Sequence, residues 1–570
     1  MVEKKGSALL GRMLIDTGIL TEDELVIALQ EHKKTGAFLG TAIIKLGFAE
    51  EEEILPILST QLQIDYVKIK DISVDTEVIK KVPAKFAYHY KLMPIQLADD
   101  VLTIVVTDPL NVTVLDDVSL LLGHKVKAVL GGEKDILESI RKYYGVGAET
   151  IEQMIDTTDK SEKTIRVATE DIEQLATDAT IGKFVNQILL EAFRDRATDI
   201  HIEPHENELK VRYRIDGLLY DAQVPPSIKQ FQSAIISRIK IMASMNISEK
   251  RLPQDGRIKV KVGENDLDLR VSVIPTPFGE SVVIRLLTST MLYSLEQLGL
   301  SKSNLKIMDA LIKKPHGIIF VTGPTGSGKT TSLYAALSKI NTADKKIITI
   351  EDPIEYQLPG ITQIQIHPRI GLTFAQGLRS MLRHDPDIMM VGEVRDFETA
   401  EITIRVALTG HLVFSTLHTN DAASAIARLL DMGAEQYLIS SSVECFIAQR
   451  LVRLICPDCK TAMKPQEEMI KNLGVEESDI SKLTLFTGKG CEACKFTGYR
   501  GRTGIYEFLV LNEAIREMVL QRVPANQIKQ KAVSTGMRTL KQDGWEKVKQ
   551  GLTTIAEVIR VSQQEDLMVE

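Results

Sequence analysis

Gly323-Pro-Thr-Gly-Ser-Gly-Lys-Thr-Thr331 is a stretch built to wrap a phosphate. Gly323 is followed by four residues and then by Gly328, Lys329 and Thr330, after the apolar run Ile318–Val321 and before the helix expected from Thr331 to Ile340. A turn between a buried strand and a helix leaves backbone N–H groups pointing at a bound anion. Glycines let the backbone approach closely, a lysine reaches the β- and γ-phosphates, and a hydroxyl in the next position ligates Mg²⁺. The expected contacts to a nucleoside triphosphate are therefore Gly323, Pro324, Thr325, Gly326, Ser327, Gly328, Lys329, Thr330 and Thr331, with Thr330 on the Mg²⁺.

Two acidic clusters follow at the ends of apolar runs, where ligands of open α/β sheets bind. Thr349-Ile-Glu-Asp-Pro-Ile-Glu offers Glu351, Asp352 and Glu355, and Asp387-Ile-Met-Met-Val-Gly-Glu delivers Glu393. Phosphoryl transfer to water needs a carboxylate to orient the nucleophile and another to help hold the metal. A third segment, Thr409-Gly-His-Leu-Val-Phe-Ser-Thr-Leu-His, places His411 and His418 on either side of a strand. The common role of a lone histidine in such a place is structural; the sharper expectation is that a neutral imidazole reports loss of the γ-phosphate.

Cys456-Pro-Asp-Cys459 and Cys491-Glu-Ala-Cys494 form two CxxC knuckles with 31 residues between them. Four thiolates in two spaced pairs suit structural Zn²⁺. Redox cysteines and an iron–sulfur cluster are the competing readings, and no thioredoxin-like context favours the first. The fifth cysteine, Cys445, stands apart as a small apolar residue.

The elements that must position these groups span several domains, about three to five for a chain of 570 residues. The first sixty residues carry a repeat in which Gly11, Gly18, Leu25 and Leu29 recur 29 positions later as Gly40, Gly47, Ile54 and Leu58. Each copy predicts helix, Gly turn, helix, with Thr21 and Glu24 as a capping box. Residues 61–145 read as an α/β part with a strand at Val101–Val106, and 146–175 as a polar, acidic linker with room for a helical piece. A second α/β domain is expected over 176–288, with a helix through Phe184–Phe193 and strands at 199–204, 209–217, 267–273 and 281–287. From 289 to 570, the apolar runs Ile318–Val321, Ile347–Ile350, Ile388–Val391 and Leu412–Phe414 alternate with helices, which implies a parallel, doubly wound sheet. The cysteine region would occupy about 450–505.

A net charge of −8 gives no global basic field, which argues against a nucleic-acid translocase. No apolar run reaches the length of a membrane span, and the N-terminus lacks a signal-peptide core, so a cytoplasmic location is expected.

The order of these pieces resembles the PilB/GspE assembly ATPases of the bacterial secretion ATPase superfamily. The marks are the phosphate loop, the acidic box Glu351-Asp-Pro-Ile-Glu355, the segment ending Gly392-Glu393 and the histidine box 409–420. Arg196-Ala-Thr-Asp-Ile-His-Ile-Glu-Pro, Leu252-Pro-Gln-Asp-Gly-Arg and Gly536-Met-Arg-Thr-Leu-Lys-Gln-Asp-Gly are also family-like. The resemblance implies a RecA-like ATPase core preceded by a PAS-like α/β domain, in a homohexamer whose ATP sites lie between those two domains. It implies Glu355 as the catalytic glutamate, Glu393 as support for Mg²⁺, and Arg270 and Arg285 as arginine fingers. Hydrolysis would drive pilin polymerisation through an inner-membrane platform protein of the PilC/GspF kind, with the enzyme peripheral at the inner face of that membrane. Type II secretion is the alternative within the family; a DNA motor and a non-hydrolysing adaptor are the alternatives outside it.

The repeat itself resembles the tandem motif of MshEN domains, which implies a cyclic di-GMP site within 1–145. This chain departs from the motif at Leu9 and Phe38, where arginines are expected, and at His32, where the second copy keeps Gln61. Each missing arginine is a lost charge-assisted contact to guanine or phosphate.

Overall fold

The computed structural model describes residues 10–35, 38–152, 154, 179–262, 265–288, 293–464 and 483–562. The chain divides into two compact units, one comprising Met1–Val262 with Asp268–Leu286 and the other Gly263–Leu267 with Leu287–Glu570.

The first unit opens with the repeat. A helix over residues 10–16 turns at Gly18 into the helix Glu22–Thr35, and the helix Leu39–Lys45 turns at Gly47 into the helix Glu51–Leu62. The equivalence is conformational as well as sequential: Gly18 and Gly47 share the left-handed region at φ 75° and 73°. Thr21 and Glu24 exchange the expected capping bonds at 3.3 and 2.9 Å. Leu14, Ala28, Ile43 and Ile54 close a small core between the copies.

A three-stranded sheet follows, β1 (Leu92–Ala98) antiparallel to β2 (Val101–Val106) and β2 parallel to β3 (Lys125–Leu130). The start of the expected linker is packed rather than free. Val146 donates its N–H to the Gln223 carbonyl at 2.6 Å, and Val146, Ala148 and Ile151 are buried, because this short piece carries apolar residues that the acidic stretch after it lacks. Residues 155–178 of that stretch lie outside the described residues.

The unit continues with the helix Ala179–Arg194 and strands β4 (Ala197–Pro204), β5 (Leu209–Ile215), β6 (Leu218–Asp221), β7 (Gln254–Val262), β8 (Asn265–Thr276) and β9 (Gly279–Thr288). They form one sheet in the order β6-β5-β4-β9-β8-β7. In β4 and β5, buried residues such as Ile200, Ile202, Val211 and Tyr213 alternate with polar ones, leaving a charged face opposite the apolar one.

The second unit is a seven-stranded sheet in the order β12-β11-β13-β14-β10-β15-β18. Its strands are β10 (Gly317–Thr322), β11 (Ile347–Glu351), β12 (Thr362–Gln365), β13 (Ile388–Val391), β14 (Leu412–Leu417), β15 (Val443–Ile455) and β18 (Tyr499–Val510). All neighbours are parallel except β15 and β18. Each of the short central strands is buried along its whole length, because helices cover both faces. Ile318 and Phe320 pack into one core while Ile319 and Val321 pack into the other, and Met389 and Val391 divide from Ile388 and Met390 in the same way. Strands β16 (Lys460–Met463) and β17 (Leu485–Gly488) form a separate hairpin beside the long β15–β18 pair.

Candidate functional site: a phosphate loop at the strand ends

β10 lies between β14 and β15, so its C-terminal end faces the strand ends that carry the acidic and histidine boxes. The loop after it turns into the helix Lys329–Ile340, with Gly328 as the residue before the helix at φ 88°. At Gly323 (φ 152°) an added Cβ would stand 2.6 Å from the Gln449 carbonyl and 2.6 Å from Ser327 Oγ. One at Gly328 would stand 2.8 Å from Gln449 Nε2. The loop is therefore drawn tight against β15 while its tip at Thr325 and Gly326 is exposed.

Lys329 Nζ donates to the carbonyls of Gly323 and Pro324 at 2.7 and 3.1 Å. Burial pushes its ammonium down to about 8; Glu393 pulls in the opposite direction and Arg450 adds to the fall. An ammonium poorly solvated and aimed into a glycine loop is suited to an anionic partner. Ser327 Oγ is buried without a hydrogen-bond partner among the described residues, a donor set aside inside the cradle. These features fit a nucleoside triphosphate, whose Mg²⁺ the Thr330 hydroxyl would hold.

Glu393 follows β13 and is almost fully buried. His418 Nε2 lies 3.1 Å from its Oε2, and the Arg395 guanidinium pairs with its Oε1. Thr322 Oγ1 meets Thr419 Oγ1 at 2.7 Å, tying the end of β10 to the histidine box. His411 belongs elsewhere. Its carbonyl accepts from Gly317 at the start of β10, and its Nδ1 lies 3.0 Å from the Val406 carbonyl. The strand Leu412–Leu417 separates it from His418, a span of about 20 Å at about 3.3 Å per residue. His411 therefore stands at the end of β14 away from the loop, because parallel strands bring only their C-terminal ends to it.

The three acids of the first box part company. Asp352 is exposed and Glu355 half-buried, whereas Glu351 turns inward and is buried. It accepts from Thr349 Oγ1 at 2.6 Å, from Gln363 Nε2 at 3.1 Å and from the Tyr334 hydroxyl. Burial raises its carboxyl above the ordinary range; those three donors oppose the rise and the nearby Glu355 charge adds to it.

In the first unit, Asp199 on β4 and Arg285 on β9 are cross-strand partners, with Nε to Oδ1 at 2.9 Å. Arg285 is exposed, and Arg270 on the adjacent strand β8 is half-buried. Asp199, far away in sequence, was not an expected partner of either arginine; its place in the family-like Asp199-Ile-His-Ile-Glu-Pro segment was the available signal.

Cys456, Cys459, Cys491 and Cys494 converge so that all four sulfurs lie within 4.8 Å of one another. Three of the separations are 3.8, 3.8 and 3.7 Å. A tetrahedron with metal–sulfur bonds of about 2.3 Å has edges of about 3.8 Å, so the cluster fits Zn²⁺. The N–H groups of Cys491 and Gly498 point at Cys494 Sγ at 3.2 and 3.3 Å, as donors to a thiolate do. Bound there, zinc would tie the end of β15, the hairpin β16–β17 and the start of β18. Cys445 is buried and apart, as expected.

Comparison with known proteins places this architecture. Residues 174–560 match the Type II/IV secretion system protein family, and residues 62–150 match the MshEN domain. The chain belongs to the Type II/IV secretion system protein family, and its site is that of an ATP-hydrolysing motor. The type IV pilus assembly ATPase PilB of Myxococcus xanthus is 43% identical over 97% of this chain and 98% of its own. The type II secretion system protein E of Xanthomonas campestris is 46% identical over 84% of each chain. Among solved structures, the Legionella pneumophila ATPase DotB matches 67% of this chain and 96% of its own at TM-score 0.51 and 22% identity, a likeness of fold. The MshEN match covers the α/β part, and the repeat precedes it. Among the described residues no helix is long and apolar enough to cross a membrane.

Proposed function

We propose that this chain is the motor that powers type IV pilus assembly. It works as a homohexamer, peripheral at the cytoplasmic face of the inner membrane, and turns a platform protein of the PilC/GspF kind. The observation that carries this reading is the likeness to the Myxococcus xanthus pilus ATPase along nearly the whole of both chains, the N-terminal region included.

Lys329 and the loop amides would hold the β- and γ-phosphates, and Thr330 and Glu393 would hold the Mg²⁺. Mg²⁺ held by those residues would neutralise charge developing on the phosphoryl oxygens. Glu355 orients the attacking water and draws off its proton. Arg270 and Arg285 supply positive charge to the transition state, and His418 reads the phosphate through Glu393. The MshEN match supports a cyclic di-GMP site in the N-terminal region that adjusts this turnover.

Full-length protein assayed with and without the platform's cytoplasmic domain tests the reading, together with rescue of pilus assembly in a strain lacking its own extension motor. Platform-stimulated turnover and restored pili are expected. Rescue of type II secretion alone moves the protein to the sister system, and stimulation by DNA but not by the platform overturns the assignment. Calorimetric titration with cyclic di-GMP tests the regulatory site.

A further inference from the structure

The phosphate-loop helix and the loop carrying Glu355 meet through a buried hydrogen-bond network that neither motif contains by itself. Tyr334 stands five positions after Lys329 on the same helix and is fully buried. Its hydroxyl donates to Glu351 and accepts the backbone N–H of Glu355 at 3.4 Å. Gln363 on β12 completes the arrangement. Its Nε2 reaches Glu351 at 3.1 Å, Tyr334 at 3.4 Å and the Tyr356 carbonyl at 3.2 Å, and its Oε1 accepts from Leu358 N–H at 2.7 Å. The Tyr334 ring also packs edge-on against Tyr356 at 4.6 Å. Residues 355–358 are thus fastened at three backbone points, one to the Tyr334 hydroxyl and two to the Gln363 amide, and both of those side chains bond the buried Glu351 carboxylate.

A buried carboxylate is costly to keep and loses several favourable contacts if a donor is removed. Here its donors come from β11, β12 and the phosphate-loop helix, and two of them, the Gln363 amide and the Tyr334 hydroxyl, also hold the backbone of the Glu355 loop, so a shift of that loop relative to Lys329 strains the bonds to both. We propose that Tyr334 and Glu351 are positioning residues for hydrolysis: they hold Glu355 at a fixed place relative to the phosphates bound by Lys329. This rests on the reading of Glu355 as the carboxylate that activates water. The step itself is ordinary hydrolysis. Water adds to the γ-phosphorus, the bond to the β–γ bridging oxygen breaks, and the water's proton passes to Glu355. A misplacement of about 1 Å of such a group costs about a hundredfold in rate.

Tyr334→Phe removes the hydroxyl and keeps the ring. In full-length protein it is expected to lower kcat about tenfold or more, with KM for ATP and Kd for ADP within about twofold. Added to Glu355→Gln, it is expected to change the residual rate by less than about twofold, because the group it positions is already gone. Glu351→Gln, which leaves no unpaired buried charge, serves as the second variant and is expected to lower kcat by about threefold or more at unchanged KM. If Glu355→Gln turns over within about threefold of wild type, the reading of Glu355 itself fails. If Glu355→Gln is inactive while folded Tyr334→Phe and Glu351→Gln keep kcat within about twofold, the positioning proposal is overturned. A further loss from Tyr334→Phe in the Glu355→Gln background also overturns it, since the hydroxyl would then act independently of Glu355.

Discussion

His418 Nε2 and Glu393 Oε2 are 3.1 Å apart at the end of β14 nearest the phosphate loop. In the proposed mechanism, in which Glu393 helps hold Mg²⁺, His418 would sense the state of the phosphates, whereas His411 is held on the carbonyl of Val406 at the other end of the strand. His418→Ala is therefore expected to lower kcat by about tenfold or more, and His411→Ala to leave it within about twofold. Steady-state ATPase assays on the two variants decide the matter; equal losses would remove the distinction.

Lys329→Ala is expected to abolish hydrolysis, since the loop has no other cation to reach the β- and γ-phosphates. The wild-type lysine also predicts a pH dependence. Burial lowers it from the usual 10.5 to about 8 in the protein without nucleotide. Bound phosphates raise it again, so the complex holds more protons than the free protein above about pH 8. Nucleotide affinity should fall as pH rises from about 8 toward 9, with proton uptake on binding, and should be flat in this respect below about 7. Titrations in buffers of different ionisation enthalpy measure both; constant affinity up to about pH 9 contradicts the placement of the ammonium.

Loss of zinc is expected to destabilise the region of the cysteines without direct damage to the ATP site. Metal binding energy is folding energy when the ligands come from separated strand ends. Cys456→Ser should lower Tm and bound metal together, with Kd for ADP within about threefold of wild type. Wild-type protein purified without oxygen and carrying neither zinc nor iron would refute the metal site.

Arg285→Ala should lower kcat by at least about a hundredfold with little change in nucleotide affinity, the mark of an interaction made in the transition state. Specific activity of the wild type should rise with protein concentration until the ring is complete. A fully active monomer by light scattering, or near-normal kcat in both Arg285→Ala and Arg270→Ala, would sink this mechanism.

The phosphate loop, both acidic boxes and the four cysteines were legible in the sequence because each is local. Glycine spacing, a carboxylate after an apolar strand and paired CxxC knuckles all report chemistry fixed within a few residues. The central strands were equally plain, since a sheet covered on both faces demands uninterrupted apolar runs such as Ile388–Val391. The strand between His411 and His418 runs beyond the apolar run Leu412–Phe414 to Leu417, where Ser415 and Thr416 satisfy their hydroxyls on the carbonyls of Val391 and Gly392.

The sequence by itself determined which groups are available: a lysine and a hydroxyl in a glycine loop, carboxylates and histidines after apolar strands, and four thiols in two pairs. Only the tertiary structure decided which of them work together. The strand order β13-β14-β10-β15 brings Glu393 and His418 to Lys329 and sends His411 to the opposite end. It presses Gln449, more than a hundred residues downstream, against Gly323 and Gly328. It also turns Glu351 inward to Tyr334 while Asp352, its immediate neighbour, stays in solvent. Alternation along a strand sends neighbouring side chains to opposite environments, and crossover connections join residues far apart in the chain. Residue type and local spacing record neither.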